Sequence, residues 1–207
     1  MNSRVLTRSF ALVAALVVGV GVIPAIPAAA HGGSEPPFEI VFPQETEKTD
    51  FTNSFGDSRS GGRRHKGNDL LAPKMTEVFA VADGTVIYVG INRLSGRNVK
   101  LEHIGGWESY YLHLNNDNPG SDDGKAPWTL TVASGVEVGM QVEAGQLIGW
   151  VGDSGNAEGT TSHTHFELRH DGAAINPYTL LVEAYARGVE YEEAIRLLTS
   201  LPDYEIE

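Results

Sequence analysis

His163-Thr-His-Phe-Glu-Leu-Arg169 alternates polar and apolar side chains along its length. Successive side chains of a strand point to opposite faces, so His163, His165 and Glu167 share one face. Thr164, Phe166 and Leu168 take the other, which reads as the packed side. A His-x-His pair on a strand is by itself more often structural than metal-binding. A second cluster changes the weight of the first. About a hundred residues upstream stands His65-Lys-Gly-Asn-Asp69, following the Gly- and Arg-rich run Ser58-Arg-Ser-Gly-Gly-Arg-Arg64 and leading into Leu70-Leu71. It reads as a loop entering a strand, with Gly67 permitting a tight backbone path. Imidazole and carboxylate are the ligands zinc takes for hydrolytic work, three from the protein with one position left for water. Two histidines on a sheet and a distant His/Asp pair therefore read as a metal site that folding assembles.

Outward from these clusters the chain alternates short apolar runs with turns. The runs are Val78–Val81, Thr85–Val89, Asn98–Leu101, Ser109–Leu112, Gly145–Val151 and His165–Leu168. Strands at such short spacing with Gly-rich turns predict an all-β antiparallel architecture, and Asp83-Gly84 between two runs predicts a hairpin turn. The C-terminal part changes character. Asn176-Pro177 is a helix start, with Asn as cap and Pro in the first turn. Leu180, Leu181 and Ala184 recur at helical spacing, Gly188 reads as a stop, and a second helix is expected from Glu190 to Ser200.

The first thirty residues carry Arg4 and Arg8, an apolar stretch from Phe10 to Ile23, and Ala28-Ala-Ala30. This is the pattern of a signal peptide over residues 1–30. The apolar run is short for a membrane span and is broken by Pro24 and Pro27, so no stable membrane insertion is expected after cleavage. Residues 31–50 read as a flexible lead-in, 51–180 as one domain and 181–207 as a C-terminal helical extension. Without Arg4 and Arg8 the remainder holds 13 basic and 27 acidic residues, a formal net charge of −14. That disfavours nucleic acid and anionic membranes as main partners. Cysteine is absent, so no thiolate can bind a metal and no disulfide staples the fold.

Five separate stretches carry a specific resemblance: Gly62-Arg-Arg-His-Lys-Gly-Asn-Asp-Leu-Leu-Ala-Pro73, Val81-Ala-Asp-Gly-Thr-Val86, Tyr111-Leu-His-Leu114, Val142-Glu-Ala-Gly-Gln-Leu-Ile-Gly149 and His163-Thr-His-Phe-Glu167. In this order they resemble the lysostaphin/LytM-type zinc endopeptidases, which cut peptide cross-links in bacterial peptidoglycan. The resemblance covers roughly residues 50–180. It implies a LytM-type antiparallel sheet or sandwich, Zn2+ held by His65, Asp69 and His165, and proton handling by His113 and His163. Which of those two is base and which is acid stays open, as does the bond cut, a Gly–Gly or a D-amino-acid cross-link. The implied activity is that of a secreted or extracytoplasmic peptidoglycan hydrolase acting in the cell envelope.

His113 alternates with Tyr111, so both are expected on one face of a strand. Glu167 is a candidate to orient a ligand imidazole. His103 and His170 read as ordinary strand-end and turn residues. Two departures from the family pattern stand out. Thr164 occupies the position between the histidines where Leu is usual, and the segment Asn115–Ser134 is longer and more acidic than typical. That segment leaves the strand of His113, so it is expected to shape access to the metal, with Trp128 as a substrate contact. Residues 31–50 are too few to match the long blocking pro-segment of some relatives, so an open site is expected. The rival reading is a LytM-type domain without catalysis that activates cell-wall amidases. The C-terminal helices are expected to pack against the sheet, with a surface for a protein partner as the alternative.

Overall fold

In the computed structural model, residues 35–200 are described. The signal-peptide expectation for residues 1–30 lies outside them. The strands are β1 (Asp50–Phe51), β2 (Ser58–Arg59), β3 (Arg63–Arg64), β4 (Asn68–Leu71), β5 (Glu77–Phe79), β6 (Gly84–Asn92), β7 (Gly96–His103), β8 (Trp107–Leu114), β9 (Gln141–Val142), β10 (Leu147–Trp150), β11 (His163–His170) and β12 (Ala173–Ile175), followed by one helix, α1 (Tyr178–Ser200). The main antiparallel sheet runs β1-β4-β11-β8-β7-β6-β9, with β12 paired to β11; β5 pairs with β10 and β2 with β3. The antiparallel all-β expectation with a C-terminal helix is met.

β11 sits in the middle of the sheet, between β4 and β8. Its alternation is as read: Thr164, Phe166 and Leu168 are fully buried, and the core gathers Phe166 and Leu168 with Leu70, Val99, Leu101, Tyr111 and Leu181. Burying side chains of this size stabilises by roughly 1.5–3 kcal/mol each. The centre of the sheet is thus firmly anchored. Gly67 has a packing reason beyond turn geometry: a Cβ there would lie 2.0 Å from the Phe166 carbonyl oxygen. Only Gly lets the loop carrying His65 lie this close against β11.

Several expectations are corrected. Asp83-Gly84 does not close a hairpin, because β5 pairs with β10 while β6 pairs with β7 and β9. Gly84 instead admits a close approach, since a Cβ there would meet the Glu102 carbonyl oxygen at 2.5 Å. Residues 38–49 are not a flexible lead-in. Ile40 and Phe42 are core residues, and Val41 N–H donates to Val81 O at 2.7 Å while Phe79 N–H donates to Pro43 O at 2.8 Å. The apolar alternation Phe38-Glu-Ile-Val-Phe42 was the signal. The C-terminus forms one helix where two were expected. Tyr178 N–H donates to the Asn176 cap oxygen at 3.1 Å, but the helix continues through Gly188. A Cβ on Gly188 would come within 2.8 Å of Thr46 Cγ2, so this Gly serves a close helix contact and does not mark a stop. Leu181 and Ala184 are buried, so the first turns of α1 belong to the domain core.

Candidate functional site

β4 and β11 are paired with His165 opposite Asp69, and His65 begins the short loop between β3 and β4. His65 Nε2, Asp69 Oδ1 and His165 Nδ1 converge: the two ring nitrogens are 2.7 Å apart, His65 is 3.0 Å from Asp69, and His165 is 2.9 Å from it. A tetrahedral zinc with bonds of about 2.0–2.1 Å separates its ligand atoms by about 3.3 Å, close to this triangle. The opposite ring nitrogens are already committed. His65 Nδ1–H donates to Ser54 O at 2.7 Å, and His165 Nε2–H donates to Glu167 Oε1 at 3.1 Å. In these tautomers each imidazole turns a lone pair inward. Two such lone pairs and a carboxylate oxygen at these distances call for a proton or a cation between them, and two imidazoles with one carboxylate are a donor set that fits a small divalent metal.

The triangle favours positive charge: burial alone would raise the Asp69 carboxyl, and the imidazoles of His165 and His65, donating to it when they carry the proton, outweigh burial and hold the group far below the usual carboxylate range. Burial would raise Glu167 as well, and His165 and Arg169 reverse the shift. Glu167 is fixed from both sides, accepting from Arg169 Nε at 2.7 Å. Such an outer carboxylate sets the orientation and tautomer of a ligating imidazole. Arg59 Nη2 donates to the second Asp69 oxygen at 2.5 Å.

His163 and His113 complete the group. His163 Nδ1–H donates to Thr161 O at 2.7 Å, and its Nε2 lies 3.8 Å from Asp69 Oδ1. His113 Nδ1–H donates to Ser154 O at 2.8 Å, and its ring centroid is 5.1 Å from that of His163. Both present Nε2 as the free nitrogen. Burial pushes His113 down to about 4, so it is neutral at neutral pH.

His113 does not share a face with Tyr111, contrary to expectation. Tyr111 pairs with the core residue Phe166, and its hydroxyl accepts from Val81 N–H at 2.8 Å. Between them the strand bulges: β7 pairs Val99 with Tyr111 and Arg97 with Leu114, leaving an extra residue on β8. His113 takes φ 63° there, a left-handed conformation uncommon outside Gly. The bulge re-aims the imidazole from the core face to the site face.

Around these residues opens a cleft of about 600 Å³. No residue of 35–50 lines it, and none of 115–134 does either. The long segment is held elsewhere: Lys74 Nζ pairs with Asp117 at 2.6 Å and Asp122 at 2.7 Å, and Arg97 lies over the Trp128 ring at 4.9 Å. Trp128 is thus engaged by Arg97 and is not part of the cleft wall. The cleft wall also includes residues that the sequence reading passed over, among them Arg63, Arg64, Lys66, Lys100 and Tyr110. A run of cations around His65 in an otherwise acidic chain was the available signal. His103 is more than a strand end: it is buried, donates from Nδ1 to Asp83 O at 2.8 Å, and pairs with Ser109 Oγ at 2.8 Å.

The model of Peptidase family M23 matches residues 63–124 and 128–177, which span both histidine clusters. The chain belongs to this family. It is 32% identical over 118 residues to the DD-carboxypeptidase/endopeptidase Mpg of Neisseria meningitidis, covering 57% of this chain and 23% of that protein. It is 31% identical to the L-Ala–D-Glu endopeptidase of Bacillus subtilis, covering 63% of this chain and 40% of that protein. The chain thus matches less than half the length of either relative. The catalytic domain of the antimicrobial peptidase lysostaphin from Staphylococcus simulans superposes with a TM-score of 0.51 at 26% identity, covering 66% of this chain and 94% of that domain. Among the described residues, no helix is long and apolar enough to cross a membrane.

Proposed function

We propose that this chain is a zinc-dependent endopeptidase that hydrolyses peptide cross-links of bacterial peptidoglycan outside the cytoplasm. His65 Nε2, Asp69 Oδ1 and His165 Nδ1 hold the metal. The observation that carries this reading is the meeting of two imidazole nitrogens and a carboxylate oxygen at 2.7–3.0 Å. When bound, zinc supplies a Lewis acid that polarises the scissile carbonyl and lowers the pKa of water from 15.7 to about 7.

The chain's own residues do the rest. Glu167 holds the proton on His165 Nε2, so that Nδ1 stays free for the metal. The carbonyls of Ser154 and Thr161 hold the Nδ1 protons of His113 and His163, which leaves both Nε2 atoms as proton acceptors facing the cleft. An imidazole that takes a proton from the attacking water at Nε2 can return one to the leaving amine from the same atom. Once protonated, it also donates towards the developing oxyanion. The segment of residues 1–30 would act as the export signal that brings this site to the cell wall.

The test is zinc stoichiometry combined with hydrolysis of isolated peptidoglycan by the purified chain. One zinc per chain with release of cleaved cross-links is the expected result. Zinc-loaded protein that opens no cross-link would instead support the non-catalytic amidase-activating reading.

A further inference from the structure

Six of the chain's fifteen basic residues line the cleft, Arg59, Arg63, Arg64, Lys66, Lys100 and Arg169, against only Asp69 and Glu167 among its acids. This concentration stands in a chain of formal net charge −12. Two of the six have carboxylate partners, Arg59 with Asp69 and Arg169 with Glu167. Arg63 donates to Ser60, and Arg64 to Gly56 O and Ser58 Oγ; among the described residues neither meets an acid. Lys100 is held more firmly. Its Nζ lies 4.3 Å from the Tyr110 ring centroid and 5.1 Å from that of Tyr88, with no carboxylate in salt-bridge range among the described residues. Tyr110 faces Glu167 across the β8–β11 pair, two residues along from His165. The Lys100 ammonium is therefore held at the cleft wall, two strands from β11 in the row of Tyr110 and Glu167, with its charge unspent.

We infer that the cleft selects anionic peptide, and that Lys100 binds a carboxylate carried by the substrate beside the scissile bond. The cations of β3 and the following loop, Arg63, Arg64 and Lys66, attract the same charge from the opposite wall. Cation–π contacts with Tyr88 and Tyr110 restrain the ammonium without neutralising it, and a charge-assisted hydrogen bond to an incoming carboxylate completes its coordination. A neutral glycyl bridge offers nothing to these groups. This inference rests on the endopeptidase reading and narrows its substrate from peptidoglycan peptides in general to those with free carboxylates.

The experiment uses the zinc-loaded full chain and three probes: a cross-linked acidic stem peptide with free α-carboxylates, the same peptide with those carboxylates amidated, and pentaglycine. Wild-type protein should favour the free-carboxylate form by roughly tenfold or more in kcat/KM. Lys100→Gln should erase most of that preference by raising KM for the free-carboxylate form at near-constant kcat, without altering zinc content. Lys100→Arg should restore it in part. Equal kcat/KM for the free and amidated forms, or an unchanged preference in Lys100→Gln, would overturn the inference. If no probe is hydrolysed, the endopeptidase reading fails on its own. Calorimetric binding of the two uncleaved peptides then decides the charge selection: tenfold tighter binding of the free acid supports it, and equal binding overturns it.

Discussion

Tyr111 and His113 stand two apart on β8 and face opposite sides of the sheet, because the bulge at His113, with φ 63°, spends one residue on turning the strand. Tyr111 keeps the core and His113 gains the cleft. The left-handed conformation costs about 1–2 kcal/mol for a residue with a Cβ, a strain of the kind that concentrates at functional sites.

His113→Ala should therefore retain zinc and lose on the order of 10²-fold or more in turnover. His113→Gly should be equally inactive yet more stable than His113→Ala by about 1 kcal/mol, since Gly takes positive φ without penalty. Denaturant unfolding of the two variants checks this. Alanine as stable as glycine would mean that the bulge relaxes when the imidazole is gone.

Glu167→Gln should weaken zinc affinity about 10–100-fold, the usual effect of losing an outer carboxylate on a ligating imidazole. Competition with a chelator of known affinity reads this directly. Unchanged affinity would reduce Glu167 to a buried ion-pair partner of Arg169.

How far the site was legible depends on which residues obey local rules. His163, His165 and Glu167 share a face because β11 is regular, so simple alternation found them. The position of His113 was hidden, because a one-residue bulge reverses every side chain beyond it and leaves no local compositional mark. Asp83-Gly84 and Gly188 misled for a common reason. Both read as backbone punctuation, whereas each Gly makes room for a partner distant in sequence, Glu102 in one case and Thr46 in the other. Nothing local announces such an approach. The segment 115–134 was read as beside the metal because it follows His113; Lys74 and Arg97 draw it to another part of the molecule.

Lys74→Met tests that anchoring. The Asp117 and Asp153 side chains are each 2% exposed and pair with Lys74 at 2.6 and 2.9 Å. Removing the cation strands two buried carboxylates, a loss on the order of 3–5 kcal/mol. Chemical denaturation should show it with zinc content unchanged, and a loss under about 1 kcal/mol would mean that the carboxylates are satisfied without the cation, as Asp117 is in part by Gly124 N–H.

Stability should also fall on mild acidification through His103. Burial lowers its pKa from the ordinary value of 6.5. The unfolded chain thus takes up the proton first, and stability present above about pH 6.5 declines as pH falls towards the folded-state value. The slope contributed is at most about 1.4 kcal/mol per pH unit. His103→Gln, compared with wild type between pH 7.5 and 5.5 at the same zinc concentration, should show the shallower loss. Parallel curves would place the acid sensitivity elsewhere.

The most direct measurement is mass spectrometry of the fragments that the zinc-loaded chain releases from cross-linked muropeptides, with Asp69→Ala alongside. The account predicts that the wild-type protein opens a peptide bond in the cross-link, adding one water across it, and that the variant has lost both zinc and activity. Intact cross-links after prolonged incubation with stoichiometrically loaded protein, or cleavage undiminished in zinc-free Asp69→Ala, would contradict it.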